Sequence, residues 1–224
     1  MDAASATTLS NRLQISRDYI VRENYEMVLL KELFESPFGA SLVFKGGTAL
    51  RLSYGSPRFS EDLDFDSLEK IDGSKFLAFL QQIGKHYPAI TAVETANKFN
   101  TLFALVRISE SFLDKSFSIK IEVSKRNRPW VKNQDYDTKL IVSDVSPLRV
   151  LAQVASLERI RSEKADALKN RKAARDVFDW WFIHQLLKQE VKMDFTGFDK
   201  EYARSELRRL LTRPYWPFIE SWFV

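Results

Sequence analysis

The sequence contains no cysteine and only two histidines among its 224 residues. The absence of cysteine excludes a disulfide framework and a thiolate metal site, and two histidines come close to excluding a histidine-based zinc site. Any metal ion must therefore be held by carboxylates. Carboxylate oxygens favour a hard cation such as Mg²⁺ or Mn²⁺.

Long apolar runs are also missing from the sequence. No stretch approaches the roughly 18 uninterrupted apolar residues that a membrane span needs. Residues 1–10 lack the basic region and apolar run of a signal peptide. These two absences predict a cytoplasmic protein with no membrane partner.

The composition is that of a folded protein, with 45% hydrophobic and 13% aromatic residues. This content argues against extended disorder, and the length suits one large domain or two small ones. The formal net charge is +4. A mildly basic chain permits a nucleotide or nucleic-acid partner without requiring one.

The hydrophobic periodicity changes along the chain. Residues 1–15 are small and polar and are expected to form a loose arm. Helical spacing follows from Ser16, and strand patterns and one further helix fill most of the first two-thirds. Three of the expected strands cover about 91–97, 102–109 and 117–124, and the pattern is helical from Ser156 onward. We therefore predict an α+β fold with a mixed α/β domain over residues 1–148 and a helical domain, packed against it, over residues 149–224.

A pair of glycines follows the first apolar run, in Lys45-Gly46-Gly47-Thr48. Adjacent glycines allow the backbone to approach a ligand closely. A helix beginning at Thr48 would direct free N–H groups and its positive dipole end at that ligand. The pattern favours a bound phosphate, with the Thr48 hydroxyl as a further donor.

Acidic residues occur on two of the expected strands. Asp62 and Asp64 lie two apart, so their side chains project from one face with Cα atoms about 6.5–7 Å apart. Glu122 occupies the polar side of an alternating strand. Each feature alone is commonly a turn or a solvated strand, but their combination in this order favours a two-metal site at Asp62, Asp64 and Glu122.

Two stretches carry a resemblance to a known family. The run FKGGTALRLSYGSPRFSEDLDFD resembles nucleotidyltransferases of the AbiEii/AbiGii toxin type, which belong to the DNA polymerase β-like superfamily. Further along, Glu163-Lys164 and Ala174-Arg175-Asp176-Val177-Phe178-Asp179 resemble later motifs of those toxins. The resemblance implies a nucleotidyltransferase-type sheet with flanking helices, followed by a helical part. It also implies transfer of NMP from an NTP with two Mg²⁺ or Mn²⁺ ions.

The resemblance also suggests roles for residues of the later motifs. Lys164 would bind the NTP phosphates and Asp176 would lie near the nucleotide or catalytic centre, unless Lys164 is a surface lysine. Asp179 shares a helical face with Asp176 and would either assist nucleotide binding or pair with Arg175.

Arg58 lies between the glycines and the carboxylates. It would contact a triphosphate or an RNA phosphate, or it would pair with Glu61 or Asp62. These two interpretations remain open from the sequence alone.

A basic segment follows the strand that carries Glu122. We expect it either to bind an acceptor RNA, with an aromatic ring stacking on a base, or to be a solvated loop. Its candidate RNA-binding residues are Lys125, Arg126, Arg128, Trp130 and Lys132.

The resemblance finally implies a biological setting. The protein would be the toxin of a toxin–antitoxin or abortive-infection system, with a cognate antitoxin as a possible partner. Some family members add nucleotides to tRNA 3′ ends, which makes tRNA the first candidate acceptor. The alternatives are a protein or small-molecule hydroxyl, or a non-catalytic binding protein of the same fold.

Overall fold

A computed structural model describes residues 1–126 and 128–223. Within them the chain forms helices and strands in mixed order. The helices are α1 Ala3–Leu13, α2 Arg17–Glu35, α3 Gly46–Tyr54, α4 Gly73–His86, α5 Leu157–Asn170, α6 Ala174–Leu186, α7 Lys200–Leu210 and α8 Trp216–Glu220. The strands are β1 Leu42–Lys45, β2 Asp62–Ser67, β3 Ile90–Asn97, β4 Thr101–Ile108, β5 Phe117–Ser124, β6 Tyr136–Ile141 and β7 Val150–Ala155. None of these helices is long and apolar enough to span a membrane.

The strands form one seven-stranded mixed sheet in the order β3-β4-β5-β2-β1-β7-β6. Strand β2 pairs with β5 in parallel and with β1 in antiparallel orientation. The β2–β5 register places Asp62 beside Lys120 and Asp64 beside Glu122. The predicted α+β class, with a mixed sheet followed by helices, is confirmed.

Alternation along β2 and β5 separates a core face from a polar face. Leu63 and Phe65 of β2 are fully buried, as are Ile121 and Val123 of β5. Because neighbouring side chains in a strand point to opposite faces, the acidic residues between them project away from this core. The hydrophobic core therefore fixes which way the carboxylates point.

A second apolar cluster lies within the C-terminal helices. Phe178 of α6, Leu207 of α7 and Ile219 of α8 are fully buried there, and Phe223 is nearly so. The apolar end of the chain, as far as the structure describes it, therefore packs within the helical part.

The N-terminal segment differs from its prediction. Instead of a loose arm, the structure has α1, whose Asp2 carboxylate accepts a hydrogen bond from the Ser5 N–H at 2.8 Å. Ala6 is the one fully buried residue of this helix. A helix that buries so little apolar surface leaves almost no periodic signal, which explains the error.

Strand β7 was missed by the sequence prediction. It lies in the sheet between β1 and β6, although it falls beyond the boundary placed at residue 148. Val150, Val154 and Ala155 are buried. A short apolar run of this kind does not distinguish a buried strand from a helix. The sheet thus extends into the range assigned to the helical part, and the division into two domains stays a prediction.

Candidate active site

The predicted carboxylates and glycines come together in one cleft of about 280 Å³. Asp62 and Asp64 project from β2, and Glu122 lies beside Asp64 on the neighbouring strand. Gly46 and Gly47, at the start of α3, line the same cleft. Residues distant in sequence therefore converge at one face of the central strands.

The lysine of β5 separates two of these carboxylates. Lys120 Nζ lies 3.3 Å from Asp62 Oδ2 and 2.9 Å from Glu122 Oε2. In residues 1–126 and 128–223, no three acidic or histidine side chains converge closely enough to hold a metal ion. In this structure the Lys120 ammonium group balances the negative charge of Asp62 and Glu122, a role that the sequence analysis assigned to divalent cations. The metal-ligand assignment of Asp62, Asp64 and Glu122 stays a prediction.

Ionisation of the Asp64 carboxyl is disfavoured even with this lysine nearby. Burial and the neighbouring charge of Asp62 raise the pKa of the Asp64 carboxyl to about 6. Gly46 has φ +78°, and a Cβ at this position would lie 2.6 Å from Asp64 Oδ2. The glycine thus lets the start of α3 approach a carboxylate closely. The donor atoms of Asp62, Asp64 and Glu122 are all carboxylate oxygens, the ligand type that hard divalent cations prefer.

Helix α3 begins at Gly46, two residues earlier than predicted. The first-turn N–H groups of a helix have no partner within it and suit a bound anion. The Thr48 hydroxyl does not serve as the predicted phosphate donor in this structure. Its side chain is fully buried and donates to the backbone carbonyl of Asp62, so it ties α3 to β2.

Lys164 of α5 lines the cleft opposite the strands. Its Nζ lies 2.8 Å from Asp176 Oδ1 and 2.6 Å from Asp179 Oδ2. Burial opposes the charge on Lys164, but Asp179 and Asp176 outweigh it and raise the pKa of the ammonium group. The interpretation as a surface lysine is wrong, because the residue is buried and doubly paired.

Arg58 forms a contact that neither sequence interpretation included. Its Nε and Nη2 donate to the two oxygens of Asp179 at 2.7 and 2.8 Å, and both side chains are almost completely buried. Arg175, the expected partner of Asp179, instead donates to Glu206 at 2.9 Å. Asp179 therefore orients Arg58 and Lys164 from below the cleft.

Arg171 is a candidate functional residue that the sequence reasoning missed. It lines the mouth of the cleft, and its Nε donates to Asp176 Oδ2 at 2.7 Å. Burial opposes ionisation of Asp176, yet Lys164 and Arg171 outweigh it and lower its pKa to about 2. Nothing in the sequence distinguishes this arginine from other basic residues, because its significance comes from a cleft that only folding creates.

Lys45, directly before the glycines, was also missed. Its Nζ lies 3.0 Å from Asp66 Oδ1 and 2.9 Å from Glu163 Oε1. This bridge joins the central sheet to α5 across the floor of the cleft. Its position directly before the two glycines was the sequence signal that could have identified it as a residue of the cleft.

The basic segment after β5 divides between two locations. Arg126 and Arg128 border a second groove of about 550 Å³, which shares Asp64 and Glu122 with the cleft. Trp130 instead packs against Tyr136 and Arg159. Its ring is therefore used in packing rather than presented to a base.

The remaining positions of that segment lie at either end of it. Lys125 Nζ donates to Asn97 at 2.8 Å. Lys132 is exposed beside Tyr136, to which it is joined by an isolated β-bridge. Asn127 lies outside the described residues.

The chain matches the family model described as "Nucleotidyl transferase AbiEii toxin, Type IV TA system" over residues 28–215. No curated protein matches it significantly.

Two solved structures have similar folds. Protein JHP933 from Helicobacter pylori is 25% identical, with a TM-score of 0.57 over 86% of this chain and 74% of that one. MenT4, the nucleotidyltransferase toxin Rv2826c from Mycobacterium tuberculosis H37Rv, is 18% identical, with a TM-score of 0.60 over 91% of this chain and 68% of that one. Since the family model spans most of the chain, this protein belongs to the AbiEii nucleotidyl transferase toxin family and is an NTP-dependent nucleotidyltransferase.

Proposed function

We propose that this toxin transfers NMP from an NTP to the 3′ hydroxyl of an RNA, with tRNA as the first candidate acceptor. The reaction would use two Mg²⁺ or Mn²⁺ ions and take place in the cytoplasm, under control of a cognate antitoxin. One observation carries the proposal. A cleft sets carboxylates against cations that other carboxylates hold in place, and it continues into a groove bordered by Arg126 and Arg128.

The carboxylate wall is the proposed cation site. Asp62 and Asp64 would hold the ions, and Glu122 would join them once its contact with Lys120 is released. When bound, divalent cations neutralise phosphate charge and lower the pKa of the attacking hydroxyl. The raised pKa of Asp64 and the close approach at Gly46 support this assignment.

The opposite wall is the proposed triphosphate site. Lys164 and Arg171 are both held by Asp176 before any ligand arrives. Fixing cations in advance reduces the entropy lost when phosphate binds. The N–H groups at Gly46 and Gly47 would add donors at a helix N-terminus. Asp179 holds both Lys164 and Arg58, so its proposed part in nucleotide binding is indirect, whereas Arg58 lines the cleft and would add positive charge there.

The chemistry then needs little more than positioning. The acceptor hydroxyl oxygen attacks the α-phosphorus, the bond from this phosphorus to the bridging oxygen breaks, and pyrophosphate leaves. The proton of the hydroxyl passes to solvent. Lys164 and Arg171 would stabilise the negative charge that develops on the leaving group.

The direct test incubates the purified protein with Mg²⁺, total tRNA and each α-³²P-labelled NTP in turn. We expect label on tRNA in a denaturing gel, with one base preferred. Periodate oxidation of the tRNA 3′ end and addition of EDTA should each remove the label. Label on a protein or small molecule, with tRNA unlabelled, would overturn the RNA acceptor and leave the transferase activity in place.

The lysine between the carboxylates provides a separate prediction. If cations bind at Asp62 and Glu122, Lys120 competes with them for the same oxygens. Lys120→Met should therefore tighten Mn²⁺ binding by about five- to tenfold, since the two pairs are partly exposed and together are worth about 1–1.4 kcal/mol. Isothermal titration calorimetry without nucleotide measures this affinity directly.

Lys139→Met is the matched control, because Lys139 is also a half-buried strand lysine but lies on β6 and contacts Tyr54 of α3. Its Mn²⁺ affinity should equal that of the unmodified protein. Unchanged or weaker binding in Lys120→Met would show that the ammonium group and the metal ion do not share ligands.

A further inference from the structure

We infer that the tip of the β3–β4 hairpin and the end of β5 form a binding groove for single-stranded RNA, in which Phe99 stacks on a base upstream of the reacting 3′ end. This inference rests on the proposed function for the class of acceptor. It assigns the RNA a definite path, which the transfer reaction by itself does not specify.

Phe99 is the starting observation. Its side chain is 94% exposed at the hairpin tip. The tip is ordered by the hydrogen bond from the Lys98 N–H to the Thr101 carbonyl at 2.9 Å. A single exposed apolar residue is ordinary on a protein surface, so its surroundings decide its meaning.

Those surroundings are a groove of about 910 Å³ lined by Phe99, Lys125, Arg126 and apolar residues that include Leu102. Two contacts hold Lys125 beside the hairpin tip. Its N–H donates to the Asn100 carbonyl and its Nζ to Asn97 Oδ1, both at 2.8 Å. An aromatic ring beside a fixed lysine and an exposed arginine is an arrangement that single-stranded nucleic acids bind, through stacking and phosphate contacts.

The acidic residues of this groove are engaged within the protein. Glu69 accepts a hydrogen bond from the Ser41 hydroxyl at 2.6 Å. Asp72 caps α4 by accepting from the Ser74 N–H at 3.1 Å. The cations that line the groove and can meet phosphate are Lys70, Lys125 and Arg126.

The groove connects to the catalytic cleft. Arg126 lines both this groove and the second groove, which in turn shares Asp64 and Glu122 with the cleft. The register aligns Asp64, Glu122 and Phe103 across three adjacent strands. Asp64 and Phe103 are two strands apart, and the chain continues along β4 from Phe103 to Phe99 at the tip. These two displacements place Phe99 on the order of 15 Å from Asp64. Phe99 would then contact a nucleotide a few positions before the acceptor end.

A single strand fits this path better than a duplex does. The bases of a duplex are stacked on one another, and their faces are unavailable to a side chain. A free 3′ end can extend from the cleft through the second groove and present one base to Phe99. The occupant is therefore an unpaired RNA 3′ tail.

The test uses the full chain and two acceptors with the same 3′ sequence, a single-stranded RNA of about ten nucleotides and a dinucleotide too short to reach Phe99. For Phe99→Ala we expect the KM for the longer RNA to rise about tenfold, because one base loses its stacking partner. The kcat, the KM for NTP and the reaction with the dinucleotide should stay unchanged. Phe99→Trp, which keeps an aromatic ring at this position, should have the same KM for the longer RNA as the unmodified protein.

Tyr202→Ala is the matched control, since Tyr202 is an exposed aromatic residue on α7 at 68% exposure. Arg126→Ala should weaken RNA binding and reduce its salt dependence by about one phosphate contact. If the unmodified protein labels RNA and Phe99→Ala leaves the KM unchanged, the groove is overturned while the proposed function stands.

If the unmodified protein labels no RNA, the proposed function fails instead. Fluorescence anisotropy with the same labelled ten-nucleotide RNA then tests the groove without catalysis. Weaker binding by Phe99→Ala, with Tyr202→Ala unchanged, would support the groove. Equal binding by both variants, or no binding by the unmodified protein, would overturn it.

Discussion

The Asp62→Asn variant is expected to lose about three orders of magnitude or more in kcat for NMP transfer. Asp62 is the partly exposed member of the β2 pair, and its side chain contacts only Lys120 among the ion pairs of the described residues. The substitution keeps the shape but removes the charge that would hold a divalent cation. Loss of metal-based stabilisation of several kcal/mol corresponds to a rate decrease of this size.

Single-turnover transfer of labelled NMP measures this effect, and circular dichroism and thermal unfolding confirm that the variant is folded. Mn²⁺ binding should weaken in parallel, which gives a readout independent of turnover. Asp114→Asn, an exposed carboxylate outside the cleft, should match the unmodified protein. An Asp62→Asn enzyme with full activity would remove the two-metal proposal.

The Arg58→Ala variant is expected to lose about 3–5 kcal/mol in the free energy of unfolding. Arg58 and Asp179 form a bidentate pair that is almost completely buried. Removing the arginine leaves the Asp179 carboxylate buried with Lys164 as its remaining partner. The cost is large because the buried carboxylate, already removed from water, loses its bidentate partner and keeps only an ammonium group that it shares with Asp176.

Urea unfolding followed by tryptophan fluorescence measures this loss. Lys31→Ala is the control, because Lys31 and Glu35 form an exposed pair at a similar distance of 2.9 Å and should contribute at most about 0.5 kcal/mol. Arg58→Leu combined with Asp179→Leu should recover much of the stability, since no unpaired charge then remains at this pair. A loss in Arg58→Ala no larger than the control would show that the pair is not buried in solution.

Local patterns predicted much of the architecture before any coordinates. Ser16 caps α2 as expected, and the alternating residues of β5 occupy Phe117–Ser124 with the predicted boundaries. Both elements have strong periodicity or a clear capping residue. Where those signals were weak, at α1 and β7, the predictions failed.

The candidate site divides in the same way. Its acidic and glycine residues were identified from their spacing. Residues two apart on a strand share a face, and this holds independently of the tertiary fold. The partners of its charges were not identified. Arg58 and Asp179 are separated by 121 positions, and Lys120 reaches Asp62 through a strand pairing between distant segments.

The sequence alone therefore determined the family resemblance, the fold class and the row of carboxylates on β2 and β5. Only the tertiary structure decided that Thr48 ties two elements together, that Asp179 binds Arg58, and that Lys120 lies between Asp62 and Glu122. Periodicity fixes the face on which a side chain lies. Which charge it meets there depends on strand register and helix packing, and those are set by the whole core.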